Sequence, residues 1–225
     1  MTAEIAEMRV IAIDGAAGSG KSTLARGLAE TLGLPYVNTG IMYRALTLAA
    51  IEEGIDVDDG DALAQLMSRL RFGLSSGGLR ELEVEGSPPS DALQGARVEA
   101  DVSRVARHPQ VRSLMRDAQR VLGSPGAVVE GRDIGTVVFP DAKVKLFLQA
   151  APDTRVERRA EQRGSASDDV DVAEALHRRD KRDATVNPFE PAPGATIVDT
   201  SDRTIEDTLQ IALEIVRDHM PEALA

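Results

Sequence analysis

Residues 15–22 read Gly-Ala-Ala-Gly-Ser-Gly-Lys-Ser, a complete G-x-x-x-x-G-K-[ST] loop between the apolar run Val10-Ile11-Ala12-Ile13 and the helix-forming stretch Thr23-Leu24-Ala25-Arg26-Gly27-Leu28. Such a loop constrains the chain on both sides, because it needs a strand to launch it and a helix N-terminus to receive it. Glycines let several backbone N–H groups converge on one point, the helix start adds a positive dipole, and Lys21 supplies a movable cation. A nucleoside triphosphate is the guest that suits this cradle. Gly15, Ala16, Ala17, Gly18, Ser19, Gly20, Lys21, Ser22 and Thr23 are therefore the candidate nucleotide-binding residues.

The rest of the chain agrees with that start. Apolar runs at 8–14, 34–38, 126–130, 143–148 and 195–199 read as buried parallel strands. Helical patterns lie near 20–32, 40–53, 61–70, 95–107, 109–122, 153–162, 171–182 and 204–219. Alternating strand and helix predicts an α/β fold, a five-stranded parallel sheet flanked by helices. Between about 71 and 94 the pattern changes to short polar-apolar alternation broken by Ser75-Ser76-Gly77-Gly78 and Pro88-Pro89, which predicts a small inserted antiparallel sheet.

Composition bounds the partners. A net charge of −11 argues against general binding to nucleic-acid backbone, which takes a concentrated cationic surface. No apolar stretch reaches bilayer length and the first seven residues are acidic, so we expect a soluble, cytoplasmic protein with no membrane partner. The chain has no cysteine, which excludes disulfides and thiolate chemistry, and His108, His177 and His219 lack metal-ligand spacing. Within this acidic chain Arg155, Arg158, Arg159, Arg163, Arg178, Arg179, Lys181 and Arg182 cluster in one segment. Two readings stand side by side: a local cationic site closing as a flap around the soft stretch 164–169, or a helix surface laced with ion pairs of Arg155 and Arg159 to Glu157 and Glu161.

The loop alone leaves open a phosphotransferase, a nucleotide-gated switch and a coupled ATPase. The chain contains no Asn-Lys-x-Asp, which a guanine-reading switch would need, and the strand at 126–130 runs into Glu130-Gly131-Arg132-Asp133 where a coupled ATPase would show a terminal Asp. Phosphoryl transfer asks mainly for charge neutralisation and in-line positioning, so an arginine-bearing flap favours a small-molecule kinase. In that chemistry Lys21 follows the β- and γ-phosphates and Ser22 sits on Mg²⁺. Glu130, at the carboxyl end of a central strand, either holds metal-bound water or pairs with Arg132.

Five blocks carry a family resemblance: Ile13-Asp14-Gly15, Asn38-Thr39-Gly40-Ile41-Met42-Tyr43-Arg44, Val111-Arg112 with Gln119-Arg120, the run from Glu130 to Pro140, and Arg178-Arg179-Asp180-Lys181-Arg182-Asp183. Together they resemble the bacterial cytidylate kinases, from about residue 8 to 217. The resemblance implies the nucleoside monophosphate kinase fold in a single domain, with a core at 1–39, 113–154 and 186–225, an acceptor-binding insertion at 40–112 and a mobile lid at 155–185. It implies transfer of the γ-phosphoryl of ATP to CMP or dCMP with Mg²⁺; we expect a monomer. Carried over position by position, Arg44 and Arg132 grip the acceptor phosphate, Thr39 and Tyr43 seat it, Ser103, Arg112 and Asp133 read the cytosine edge, and Arg179 and Asp183 contact the sugar. Lys21, Arg132, Arg158 and Arg159 are the expected catalytic cations, and Ser22 and Glu130 the metal-side residues. One departure stands out: where the family has an arginine three positions after Asp183, this chain has Val186, so either Arg182, Arg158 or Arg159 substitutes or phosphate is held more weakly. Other readings are a kinase of a different small acceptor, or a nucleotide-binding module without phosphotransfer.

Overall fold

A computed structural model describes residues 9–163, 173–174, 177–178, 180–183 and 190–223. Five strands form one parallel sheet: β1 (Ile11–Gly15), β2 (Tyr36–Asn38), β5 (Val128–Gly131), β6 (Val144–Gln149) and β7 (Thr196–Asp199). Their spatial order is β2-β5-β1-β6-β7, so β1 is central, and it is buried along its whole length. Alternation along β1 divides the interior. Ile11 and Ile13 face α1 (Lys21–Leu32) and α7 (Ile205–His219) in a cluster with Leu24, Leu28, Leu146 and Val216. Val10 and Ala12 face the opposite cluster, with Met42, Leu46, Leu63, Met115 and Phe139.

That second cluster is built by α2 (Thr39–Glu53), α3 (Gly60–Arg69), α4 (Ala96–Ala106) and α5 (Pro109–Gly123). Local chemistry starts and stops these helices. The Asn38 side chain accepts from Ile41 N–H at the start of α2, and Asp59 accepts from Asp61 and Ala62 at the start of α3. Helix α1 ends at Gly33, whose φ of 62° lets its N–H return to Ala29 and Glu30. The expected small sheet is present as β3 (Phe72–Leu74) antiparallel to β4 (Leu82–Val84). It meets the main sheet where Tyr36 N–H donates to the Arg80 carbonyl at 2.8 Å. Helix α6 (Pro152–Arg163) follows β6.

Two strands differ from expectation. β2 is only three residues long, and β7 is a half-covered edge whose Ile197 is 53% exposed, because helix α7 packs on one face only. The segment 164–169, Arg179 and Val186 lie outside the described residues, as does much of the helix expected at 171–182.

Beyond β5 the chain passes through Arg132 and Asp133 into a π-helical turn, Ile134–Val138. A buried carboxylate fastens it to the centre of the sheet. Asp14 is 5% exposed and accepts from the backbone N–H groups of Ile134 and Gly135, each at 2.8 Å. Burial, opposed by those two hydrogen bonds and by Lys21 and reinforced by the charge of Asp133, pushes the Asp14 carboxyl from its ordinary 3.8 up to about 6.

This packing can be probed at Gly123 and at Asp14. An ideal Cβ at Gly123 would lie 2.5 Å from Cζ of the buried Phe139 ring. Gly123→Ala should therefore destabilise by about 1–2 kcal/mol in denaturant unfolding, overriding the helix gain of about 1 kcal/mol that alanine normally brings. Phe139→Leu in the same chain should recover part of that loss. For Asp14, the folded carboxyl holds its proton more tightly than the unfolded one, so its stabilising contribution is complete below about pH 4 and fades as pH rises through about 6. The unfolding free energy of the wild type relative to Asp14→Asn should fall by roughly 2 kcal/mol between pH 4 and pH 7 and then level off, as read from urea titrations.

Candidate active site

The loop after β1 adopts conformations that only glycine takes comfortably. Gly15, Gly18 and Gly20 have φ of 148°, 75° and 86°. A Cβ at Gly15 would sit 2.3 Å from the Leu148 carbonyl oxygen, so the loop lies directly against β6. Helix α1 starts at Lys21 behind Gly20 with no side chain capping it, leaving its first N–H groups oriented into the loop. Lys21 Nζ donates to the Ala16 carbonyl at 2.7 Å, across the mouth of the cradle. Ser19 Oγ is fully buried and makes no hydrogen bond among the described residues. Convergent N–H groups, a cation and an orphaned hydroxyl in one concavity fit a chain of phosphates.

Next to the loop, Glu130 gathers three residues. Ser22 Oγ donates to its Oε2 at 3.0 Å, the Tyr36 hydroxyl donates to Oε1, and Asn38 Nδ2 reaches the Tyr36 oxygen at 3.2 Å. Burial first, and then the Glu130 charge, hold the Tyr36 phenol well above its usual range, so it stays a donor. Thr39 Oγ1 bonds the Glu130 carbonyl at 2.7 Å. Among the described residues, the Glu130 carboxylate thus meets hydroxyls rather than pairing with Arg132. A hydroxyl and a carboxylate side by side at the phosphate loop are hard oxygen donors of the type that suits Mg²⁺ shared with phosphate oxygens.

Arg132 instead donates to the Gly15 carbonyl at 3.2 Å and pairs with Asp183 at 2.8 Å. Asp133 pairs with Arg112 at 2.5 Å, and Ser103 Oγ donates to Asp183 at 2.8 Å. Tyr43 lies beside the Arg112 and Asp133 charges, with burial raising its hydroxyl pKa. Arg44 is 6% exposed and donates to the Leu93 carbonyl at 2.9 Å. The structure therefore brings the loop residues, Thr39, Tyr43, Ser103, Arg112, Glu130, Arg132, Asp133 and Asp183 together beyond the carboxyl ends of β1 and β5, the side on which an open parallel sheet holds ligands.

Among the described residues, Arg155, Arg158 and Arg159 of α6 reach to other elements rather than to Glu157 and Glu161 of their own helix. Arg155 pairs with Asp180 and also donates to the Ala17 carbonyl at 3.3 Å. Arg158 donates to Thr200 Oγ1 and carbonyl at 3.0 and 2.6 Å, and Arg159 pairs with Glu99 at 2.5 Å. Arg182 donates to the Ala100 carbonyl at 3.2 Å. Their long side chains span between elements, where each cation finds a partner that a single helix face does not offer.

Several contributors have no site role assigned from the sequence: Asp14, Tyr36, Arg155, Asp180 and Thr200. Arg155 carried a signal, since it belongs to the arginine cluster and faces the loop. A Cβ at Gly18 would lie 2.9 Å from its carbonyl oxygen. Asp14 and Asp180 lie within blocks that carry the family resemblance, whereas Tyr36 and Thr200 gave no signal, because their partners are remote in sequence.

Comparison with known proteins identifies the kin of this arrangement. The family model described as cytidylate kinase matches residues 11–218. The chain is 44% identical to a cytidylate kinase of Mycobacterium avium (strain 104) over 92% of its own length and 95% of that protein. Against a cytidylate kinase of Shouchella clausii (strain KSM-K16) the identity is 42%, over 93% and 96%. For one from Exiguobacterium sibiricum it is 42%, over 91% and 95%. With the family's model running through the loop, the Glu130–Asp133 turn and the arginine helix alike, the chain belongs to the cytidylate kinase family.

Proposed function

We propose that this protein transfers the γ-phosphoryl group of ATP to CMP or dCMP, giving ADP and CDP or dCDP. The observation that carries the reading is the adjacency of the phosphate loop, the Ser22–Glu130 pair and the Arg132–Asp133 turn. An acceptor phosphate oxygen attacks the γ-phosphorus in line as the bond to the β-phosphate bridging oxygen breaks. No protein nucleophile is required.

The chain's own groups supply charge and position. Loop N–H groups and Lys21 hold the β- and γ-phosphates, with Lys21 leaving the Ala16 carbonyl to do so. Ser22 and Glu130 are the residues that would hold Mg²⁺, which when bound neutralises charge between the phosphates. Arg132 and Arg44 grip the acceptor phosphate through their planar forks, seated by Thr39 and Tyr43. Ser103, Arg112 and Asp133 read the base, and Asp183 with Arg179 the sugar. Residues 155–185 act as a lid over an insertion at 40–112, with Arg158 and Arg159 closing on the transferring group. Arg155, already on the loop at Ala17, is our reading of the cation that compensates for Val186. Arg182 is turned instead toward Ala100. We take the enzyme to be a cytoplasmic monomer.

A coupled assay with ATP and a panel of CMP, dCMP, UMP, AMP and shikimate tests the reading. Turnover confined to CMP and dCMP is expected; turnover of another acceptor, or nucleotide binding without any product, would replace it. Lys21→Ala should lower kcat by about three orders of magnitude or more while the fold survives. Near-wild-type turnover in a folded Lys21→Ala protein would remove Lys21 from the chemistry.

Base choice rests on Asp133. An ionised carboxylate accepts from the cytosine amine but meets O4 of uracil acceptor to acceptor. Discrimination in kcat/KM should be about two to four orders of magnitude, as for other sites built on a polar contact. Asp133→Ala should lower activity on CMP far more than on UMP; an unchanged ratio would assign base reading elsewhere.

A further inference from the structure

Asp133 occupies the position immediately before the Ile134–Val138 turn, with φ −145° and ψ 28°. An aspartate in that place ordinarily folds its carboxylate back onto the N–H of the second or third residue of the turn it precedes, here Gly135 or Thr136. Asp133 makes no such bond. Its carboxylate is extended to Arg112 at 2.5 Å. The N–H groups of Ile134 and Gly135 are taken instead by Asp14, one by each carboxylate oxygen, from a strand about 120 residues earlier in the chain.

Other contacts hold the turn in place. The Asp133 carbonyl accepts from Val137 and Val138 at 2.9 and 3.2 Å, and Arg120 donates to the carbonyls of Val138 and Val137 at 2.8 and 3.0 Å. Gly131 is packed so closely that a Cβ there would lie 2.6 Å from Thr39 Oγ1 and 2.7 Å from Ile134 Cδ1. Besides fastening the turn, Asp14 therefore occupies the Gly135 N–H, a donor for which the Asp133 side chain would otherwise compete.

We propose that Asp14 is a positioning residue for acceptor choice: by capping the Ile134–Val138 turn from β1, it keeps the Asp133 carboxylate off its own turn and available to Arg112 and the acceptor base. The inference rests on the reading of Asp133 given above. It extends base recognition to a residue that does not touch the base. Because Asp14 directly precedes Gly15, the strand that launches the phosphate loop also sets the direction of the acceptor-reading carboxylate.

The test compares kcat/KM for CMP and UMP, with ATP as donor, in the wild type, Asp14→Asn, Asp14→Ala, Asp133→Ala and the Asp14→Ala/Asp133→Ala double variant. Asp14→Ala should narrow the CMP-to-UMP ratio by about tenfold or more. Asp14→Asn should narrow it less, since its amide oxygen still accepts one of the two N–H groups. In the Asp133→Ala background, removing Asp14 should leave the ratio where it was, the mark of two residues acting through one contact. If the Asp14 variants depress turnover of CMP and UMP equally, Asp14 supports the fold alone and the proposal falls. If Asp133→Ala leaves the wild-type ratio intact, it is the underlying assignment of Asp133 that fails. Should neither Asp14 variant fold, amide exchange in the wild type decides: Ile134 and Gly135 are expected to exchange as slowly as the strand residues of β1, and loop-like exchange at either would overturn the cap.

Discussion

The parallel register of β1 and β5 is the constraint on which the site depends. It sets Ile13 opposite Glu130 and Asp14 opposite Gly131, so the two strands leave the sheet side by side. One exit becomes the phosphate loop and the other becomes the Arg132–Asp133 turn. Neither could be displaced by a residue without turning its side chains to the wrong face of the sheet. Close packing fixes the register further. Gly15 leaves no space beside Leu148 for a side chain, and Gly131 leaves none beside Thr39 and Ile134.

Electrostatics around that frame is organised by pairing. A chain with net charge −11 nevertheless places Arg132, Arg155 and Arg159 in partly covered positions, each against a carboxylate: Asp183, Asp180 and Glu99. A guanidinium removed from water without a partner would be costly, and these carboxylates offset that cost. In the proposed reaction a phosphate, with paired oxygens and more charge than a carboxylate, would take over these guanidinium forks. The Arg155–Asp180 and Arg132–Asp183 pairs link the described part of the arginine-rich segment to the phosphate loop and to the Arg132–Asp133 turn.

Local chemistry was readable in the sequence because its rules are local. The Gly-rich loop, the apolar runs of β1, β5 and β6 and the antiparallel β3–β4 pair all declare themselves within a few residues. What remained hidden was set by distance along the chain. Nothing near Asp14 shows that its carboxylate serves N–H groups about 120 residues away, and nothing near Tyr36 shows that its hydroxyl will meet Glu130. The ion pairs of Arg155 and Arg159 illustrate the same limit: helical spacing suggested Glu157 and Glu161, but cross-element partners prevailed. The exposed edge of β7 escaped notice because Ile197 and Val198 read equally well as core, and only the sheet order places β7 at the edge.

A crystal structure with CMP and a non-hydrolysable ATP analogue bound together measures the central claim most directly, that the paired ends of β1 and β5 hold donor and acceptor in one crevice. The expected result has the triphosphate in the loop against Lys21, the acceptor phosphate on Arg132, and the cytosine amine within hydrogen-bond distance of Asp133. An acceptor bound away from the Arg132–Asp133 turn, with the base read by other residues, would contradict it.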